Sequence, residues 1–236
     1  MTPVPTRQSN LRLVLQLLAT RLINVAEGIY ELSAQLNISK VLTIVGGGAV
    51  TLKAVSNYGT TNGSKHLLTA YAGTEATPVT ISNVTLDCNS NCYGFNTYSN
   101  AYVVLDGVTV TNSRGAGLTV NGSTVVATNL NTSGNAWGAV NVDPGSNVTT
   151  PSVFTLNSGT LAEGTQIWSD GSHVTSGATV TVSATGYNEY SYAGSAALRW
   201  ANGAITGAIS IASAPAVLYT TIASAISAAA PDDTIN

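Results

Sequence analysis

Four short segments in the middle of the chain repeat one another. They are Val84-Thr-Leu-Asp-Cys-Asn-Ser90, Val108-Thr-Val-Thr-Asn-Ser113, Thr128-Asn-Leu-Asn-Thr-Ser133 and Phe154-Thr-Leu-Asn-Ser158. Each alternates apolar and polar residues and then enters a small polar turn that ends in Ser. The closing serines stand at 90, 113, 133 and 158, a period of about 23 residues. A unit of that size cannot bury an apolar face alone, so neighbouring units must stack and share a core. With strand-rich units the predicted fold is all-β: a parallel β-helix, a solenoid of about 23 residues per coil. Alternate strand residues point inward. That places Val84, Leu86, Phe95, Leu118, Val140, Phe154 and Leu156 in the core, with Asn and Ser forming an inward polar ladder at the turns.

Only 8% of the 236 residues are charged, against roughly 25% in ordinary globular proteins. Thr, Ser, Asn and Gly must therefore cover the surface, a composition expected of a secreted or cell-surface protein. The chain carries eight basic residues and a net charge of −3. Nucleic-acid binding needs clustered Lys and Arg, so no nucleic-acid partner is expected. No stretch approaches the ~18 apolar residues of a membrane-spanning helix, and no membrane insertion is expected.

Leu11, Leu15, Leu18 and Leu22 recur at helical spacing. Residues 1–24 are read as an amphipathic helix capping the first coil, residues 25–215 as the β-helix, and residues 216–236 as a short C-terminal helix. After the first helix come Ile23-Asn-Val-Ala-Glu-Gly-Ile-Tyr30, Leu36-Asn-Ile-Ser-Lys40 and Val41-Leu-Thr-Ile-Val-Gly-Gly-Gly48. This order of short strands closed by glycine turns resembles the opening coil of right-handed β-helices of the pectate-lyase-like superfamily. The resemblance implies a right-handed helix and leaves the activity open. A helix pattern that precedes this coil in that family stands here at the other end, from Thr221-Ile222 to Thr234-Ile235-Asn236. The C-terminal helix is accordingly read as a cap or as the start of a next tandem unit. Solenoid ends expose strand edges, so end-to-end self-association is a further expectation.

The superfamily includes polysaccharide lyases and hydrolases. A lyase of this kind holds calcium with converging acids and takes a proton with Arg. Asp87, Asp106 and Arg114 are the weak catalytic candidates, and calcium enters only under that alternative. No catalytic residue, cofactor or metal site is otherwise expected, so an enzyme is the less favoured reading. An outward ladder of short polar residues is predicted at Thr85, Thr109, Asn129, Thr155 and Thr181, and such ladders resemble the ice-binding faces of antifreeze proteins. Trp137 and Trp168, with Tyr93, Tyr98 and Tyr102, are candidates for stacking on sugar rings. Cys88 and Cys92 are read as closing a small disulfide loop, with two free thiols as the alternative. The functional expectation is a non-catalytic structural or carbohydrate-binding, adhesin-like segment of a larger protein. A polysaccharide lyase or hydrolase comes second, and an ice-binding protein third.

Overall fold

A computed structural model describes residues 21–60, 63, 65–143, 150–161, 167–169, 179–184, 190–193, 198–201, 204–206, 209–219 and 222–236. Between 167 and 206 the description covers strand backbone and pairing. The first strands are β1 (Arg21–Val25), β2 (Gly28–Leu32), β3 (Leu36–Ile38), β4 (Leu42–Ala54), β5 (His66–Ala70), β6 (Val79–Asp87), β7 (Tyr93–Tyr98) and β8 (Tyr102–Asp106). There follow β9 (Thr109–Thr111), β10 (Leu118–Asn121), β11 (Thr124–Thr128), β12 (Leu130–Ser133), β13 (Val140–Asp143), β14 (Ser152–Leu156), β15 (Gly159–Leu161) and β16 (Ile167–Ser169). The last elements are β17 (Thr179–Ala184), β18 (Tyr190–Ala193), β19 (Leu198–Ala201), β20 (Ala204–Thr206), β21 (Ile209–Ile211), β22 (Ala214–Tyr219) and the helix α1 (Ile222–Ala228).

Alternation makes these segments strands, and pairing follows the repeat. Thr124–Thr128 buries Val125 and Ala127 while Thr124, Val126 and Thr128 stay half-buried. Phe95 pairs in parallel with Leu118, which pairs with Val140, which pairs with Ile167. Parallel partners lie from 21 residues apart (Arg21 and Leu42) to 37 apart (Thr43 and Thr80). The expected period of about 23 residues thus holds from β6 to β13 and nearly where β1 and β2 meet β4, and the spacing is longer elsewhere. Two large sheets result, mostly parallel, and the all-β arrangement is compatible with a β-helix-like fold.

The repeats from β8 to β13 hold three strands each, whereas in the two before them the first two strands run together as β4 and as β6. In the repeats around β8 to β13, the first two strands lie in one sheet and the third in the other. The corner between first and second strands has a positive φ: Asn83 at 55°, Gly107 at 65° and Asn129 at 53°. Only Gly and, less readily, Asn adopt that conformation without penalty. Gly107 has a second reason, because a Cβ there would lie 2.6 Å from Asn83 Oδ1. The next corner repeats the device with Asn112 at 56° and Gly134 at 67°. The abundance of Asn and Gly is therefore largely a corner requirement.

The inward residues of both sheets form one core. Phe95, Leu118, Val140, Val125, Phe154 and Leu105 are fully buried, and each such side chain contributes about 1.5–3 kcal/mol. Val84, Leu86 and Leu156 are buried as expected. Inward polar groups are mostly satisfied, although Thr69 Oγ1 is buried with no hydrogen-bond partner. Thr97 and Ser123 share a hydroxyl hydrogen bond of 2.7 Å.

Two expectations about the ends are corrected. The predicted N-terminal helix lies outside the described residues as far as position 20, but Arg21–Val25 is a strand, paired in parallel with Leu42–Gly46. Its burial alternates with a period of two, so Leu22 belongs to a strand rather than to a helical stripe. The β-helix was expected to run to residue 215, yet among the described residues the last parallel pairing is that of β14 with β17. From there β17 pairs with β18, β16 with β19, β19 with β20 and β21 with β22, all antiparallel. The C-terminal helix is present as α1. It buries Ala225 and leaves Ile222 and Ile226 exposed.

Candidate functional site

The corner between the second and third strands carries the most distinctive chemistry. Two buried polar side chains shape it. Asn135 Oδ1 accepts from the Ser113 amide at 2.9 Å, and Asn135 Nδ2 donates to the Val110 carbonyl at 3.0 Å. Ser113 Oγ donates to the Ala116 carbonyl at 2.9 Å and accepts from the Gly115 amide at 3.0 Å. The inward polar ladder predicted for these turns is thus corrected to this one pair: Ser113 is buried, but Ser90, Asn112 and Ser133 are exposed, because their corners turn those side chains to solvent. Main-chain bonds then tie successive corners together: Tyr93 N to Lys65 O, Arg114 N to Cys92 O, Ala136 N to Ser113 O and Trp137 N to Gly115 O.

On this frame sits an aromatic column. The Tyr93 and Trp137 rings lie 5.3 Å apart, tilted by 41°. His66 lies 5.4 Å from Tyr93 on the same column. The Arg114 guanidinium stands 4.9 Å from the centre of the Tyr93 ring, within cation–π range. Trp137 is 57% exposed. His66 is the opposite case: burial, and secondarily the Lys65 charge, push its pKa down to about 4. Its main chain is held by the Gln35 side chain, which accepts from the His66 amide, and by the Tyr58 hydroxyl, which donates to the His66 carbonyl. An apolar ring beside a cation, both at the surface of a rigid corner, can stack on and hydrogen-bond to a ligand.

The predicted acid–base set does not converge. Asp87 Oδ1 accepts from the Asn89 amide at 2.9 Å and from Asn112 Nδ2 at 3.0 Å, and Asp87 Oδ2 lies 3.8 Å from Lys53 Nζ. These contacts brace the corner after the second strand. Asp106 accepts from Asn129 Nδ2 at 3.3 Å. It pairs with Ser82, so it lies beyond the Asn83 corner from Asp87. Arg114 belongs to the aromatic column instead.

The predicted polar ladder is real in part and shifted. Thr85 and Thr109 are neighbours as expected, but the column runs Thr51, Thr85, Thr109, Asn131, Thr160. Asn129 occupies a corner. Thr155 pairs with Val126 and Thr181 with Val153, both in first strands. The cause is that first and second strands of a repeat share one apolar–polar alternation. Phe154-Thr-Leu156 was therefore set against Leu130, although it belongs against Val125. The second column, Lys53, Asp87, Thr111 and Ser133, contains an ion pair.

Trp168 stands in β16 opposite Asn141, and its side chain lies outside the described residues. Cys88 and Cys92 are free, buried thiols, which corrects the expected disulfide. Cys88 Sγ donates to Tyr93 O at 3.5 Å and Cys92 Sγ to Cys88 O at 3.8 Å. Each thiol is thus used inside the turn, and the hydrogen bond with Cys92 followed by burial raises the pKa of Cys88. The sequence reading named Tyr93 and Trp137 separately and did not join them to Arg114. The available signal was position: Trp137 stands three residues before Val140 and Tyr93 two before Phe95, at the same corner of different repeats. Comparison with protein-family models, with curated proteins and with solved structures finds no match.

Proposed function

We propose that this chain is a right-handed parallel β-helix of the pectate-lyase-like type, acting as a non-catalytic, carbohydrate-binding segment of a larger secreted or surface protein. The observation that carries the reading is the exposed Trp137 ring, seated on Tyr93 beside Arg114. Sugar rings present C–H faces to aromatic rings and hydroxyls to cations, and such a corner offers both. Parallel pairing from repeat to repeat, with positive-φ corners, supports closure into coils. The enzyme alternative loses support because Asp87 and Asp106 are occupied by separate corner contacts. Ice binding keeps one favourable feature, the in-register Thr column, and is opposed by the Lys53 and Asp87 pair beside it. End-to-end association belongs to the same reading and is supported by the exposed Ile222 and Ile226. Light scattering with and without residues 216–236 tests that part.

The main test is calorimetric titration with a panel of soluble oligosaccharides. Binding that is lost in Trp137→Ala, with an unchanged melting temperature, is expected. Absence of binding across the panel, or binding indifferent to Trp137, overturns the reading.

A further inference from the structure

We infer that Gly115 is the positioning residue of the aromatic corner: its missing side chain lets the Tyr93 and Trp137 rings close on each other across an intervening repeat. The use of those rings rests on the carbohydrate reading, whereas their geometry does not. Counting back three from the paired Leu118 and Val140 gives Gly115 and Trp137, and Tyr93 stands two before Phe95. Tyr93 and Trp137 therefore come from repeats that are not neighbours, and Gly115 lies in the one between. Backbones two repeats apart stand roughly 10 Å apart at about 4.8 Å per repeat. The ring centres are nevertheless only 5.3 Å apart, so the rings lean together over Gly115.

A Cβ at position 115 would lie 2.5 Å and 2.9 Å from Cδ1 and Cε1 of Tyr93, and 3.3 Å from Cε3 of Trp137. Carbon atoms pack best at about 3.5–4.0 Å, so even a methyl group must push the rings, Tyr93 most. Backbone freedom is not the reason for the glycine, because Gly115 is not among the residues with positive φ. Its polar groups are also independent of its size. The amide donates to Ser113 Oγ and the carbonyl accepts from the Trp137 amide, and an alanine keeps both. What remains is volume, and the volume is spent on ring placement. Displacing Tyr93 also moves the surface on which Arg114 rests.

The test is Gly115→Ala, read by near-ultraviolet circular dichroism and by titration with cellohexaose, xylohexaose and hexagalacturonate. The expected result is an unchanged far-ultraviolet spectrum, a near-ultraviolet spectrum that moves to that of Tyr93→Leu, and roughly tenfold weaker binding of whichever saccharide the wild type takes. A folded Gly115→Ala chain with the wild-type near-ultraviolet spectrum overturns the inference, whatever the saccharides do. If the wild type binds none of the three, the carbohydrate reading fails and the near-ultraviolet comparison alone decides on Gly115. If Gly115→Ala does not fold, the double variant Tyr93→Ala with Gly115→Ala decides. Recovery of the fold supports the inference because the struck ring is gone, and failure to recover overturns it.

Discussion

The second-strand face and the corner beside it come from the same repeats, yet they leave different things for a ligand. On the face, Thr111, Ser133 and Asn131 consume their polar groups locally. Thr111 Oγ1 donates to the Ser133 carbonyl at 2.9 Å and also meets the Ser133 hydroxyl at 3.1 Å. Asn131 Oδ1 accepts from the Thr160 amide, and Asn131 Nδ2 donates to the Asn129 carbonyl. At the corner the polar work is done underneath, by Ser113 and Asn135. The Trp137 ring is left out in solvent, and among the described residues no carboxylate pairs with Arg114. Regular pairing thus favours self-satisfied surfaces, whereas a corner, which has fewer pairing obligations, can hold unspent apolar area and charge.

The largest effect should come from removing what both regions stand on. Leu118 is fully buried between Phe95 and Val140. Leu118→Asp buries an unpaired carboxylate, at a cost on the order of 4 kcal/mol or more. An insoluble or unfolded chain is expected. A soluble variant with wild-type circular dichroism and melting temperature would contradict the register of the third strands.

Acid should separate the corner from the face next. His66 has a folded pKa of about 4, below its ordinary 6.5. Between those values the unfolded chain binds more protons than the folded one, so stability rises with pH there. The contribution is complete above pH 6.5 and is lost as pH falls towards 4. By linkage it amounts to about 3 kcal/mol at most. Urea midpoints should drop as pH is lowered across this window in the wild type and drop less in His66→Gln. Parallel curves for the two proteins would remove His66 from the account.

Binding should distinguish the regions directly. Trp137→Ala should weaken saccharide binding by roughly tenfold or more, with little loss of stability, because an exposed ring contributes to contact rather than to the core. Thr109→Ala, on the face, should leave affinity unchanged and shift stability by only about 0.5 kcal/mol. Equal losses of affinity in the two variants would erase the distinction between face and corner.

Parts of this architecture were legible in the chain. Strand alternation marks which residues point inward whatever their partners, so Val84, Leu86, Phe95, Leu118 and Phe154 could be placed in the core from sequence. Partner choice was less legible. Phe154-Thr-Leu156 fits the second-strand pattern and the first-strand pattern equally well, and the difference is made by corners such as Asn129 and Gly107, whose role depends on φ. The candidate site was legible only as separate residues.

The sequence by itself determined the all-β class, the repeat and the inward residues, because side-chain alternation and period are local properties of the chain. The tertiary structure decided which strand lies beside which, that Thr85 and Thr109 continue to Asn131 rather than Asn129, and that the cysteines sit as free thiols. It also brought Tyr93, Arg114 and Trp137 to one corner. Apart from the cysteines, whose hydrogen bonds stay within one turn, those outcomes depend on contacts between residues about a repeat or more apart, and no local pattern encodes how far two rings can lean across a glycine.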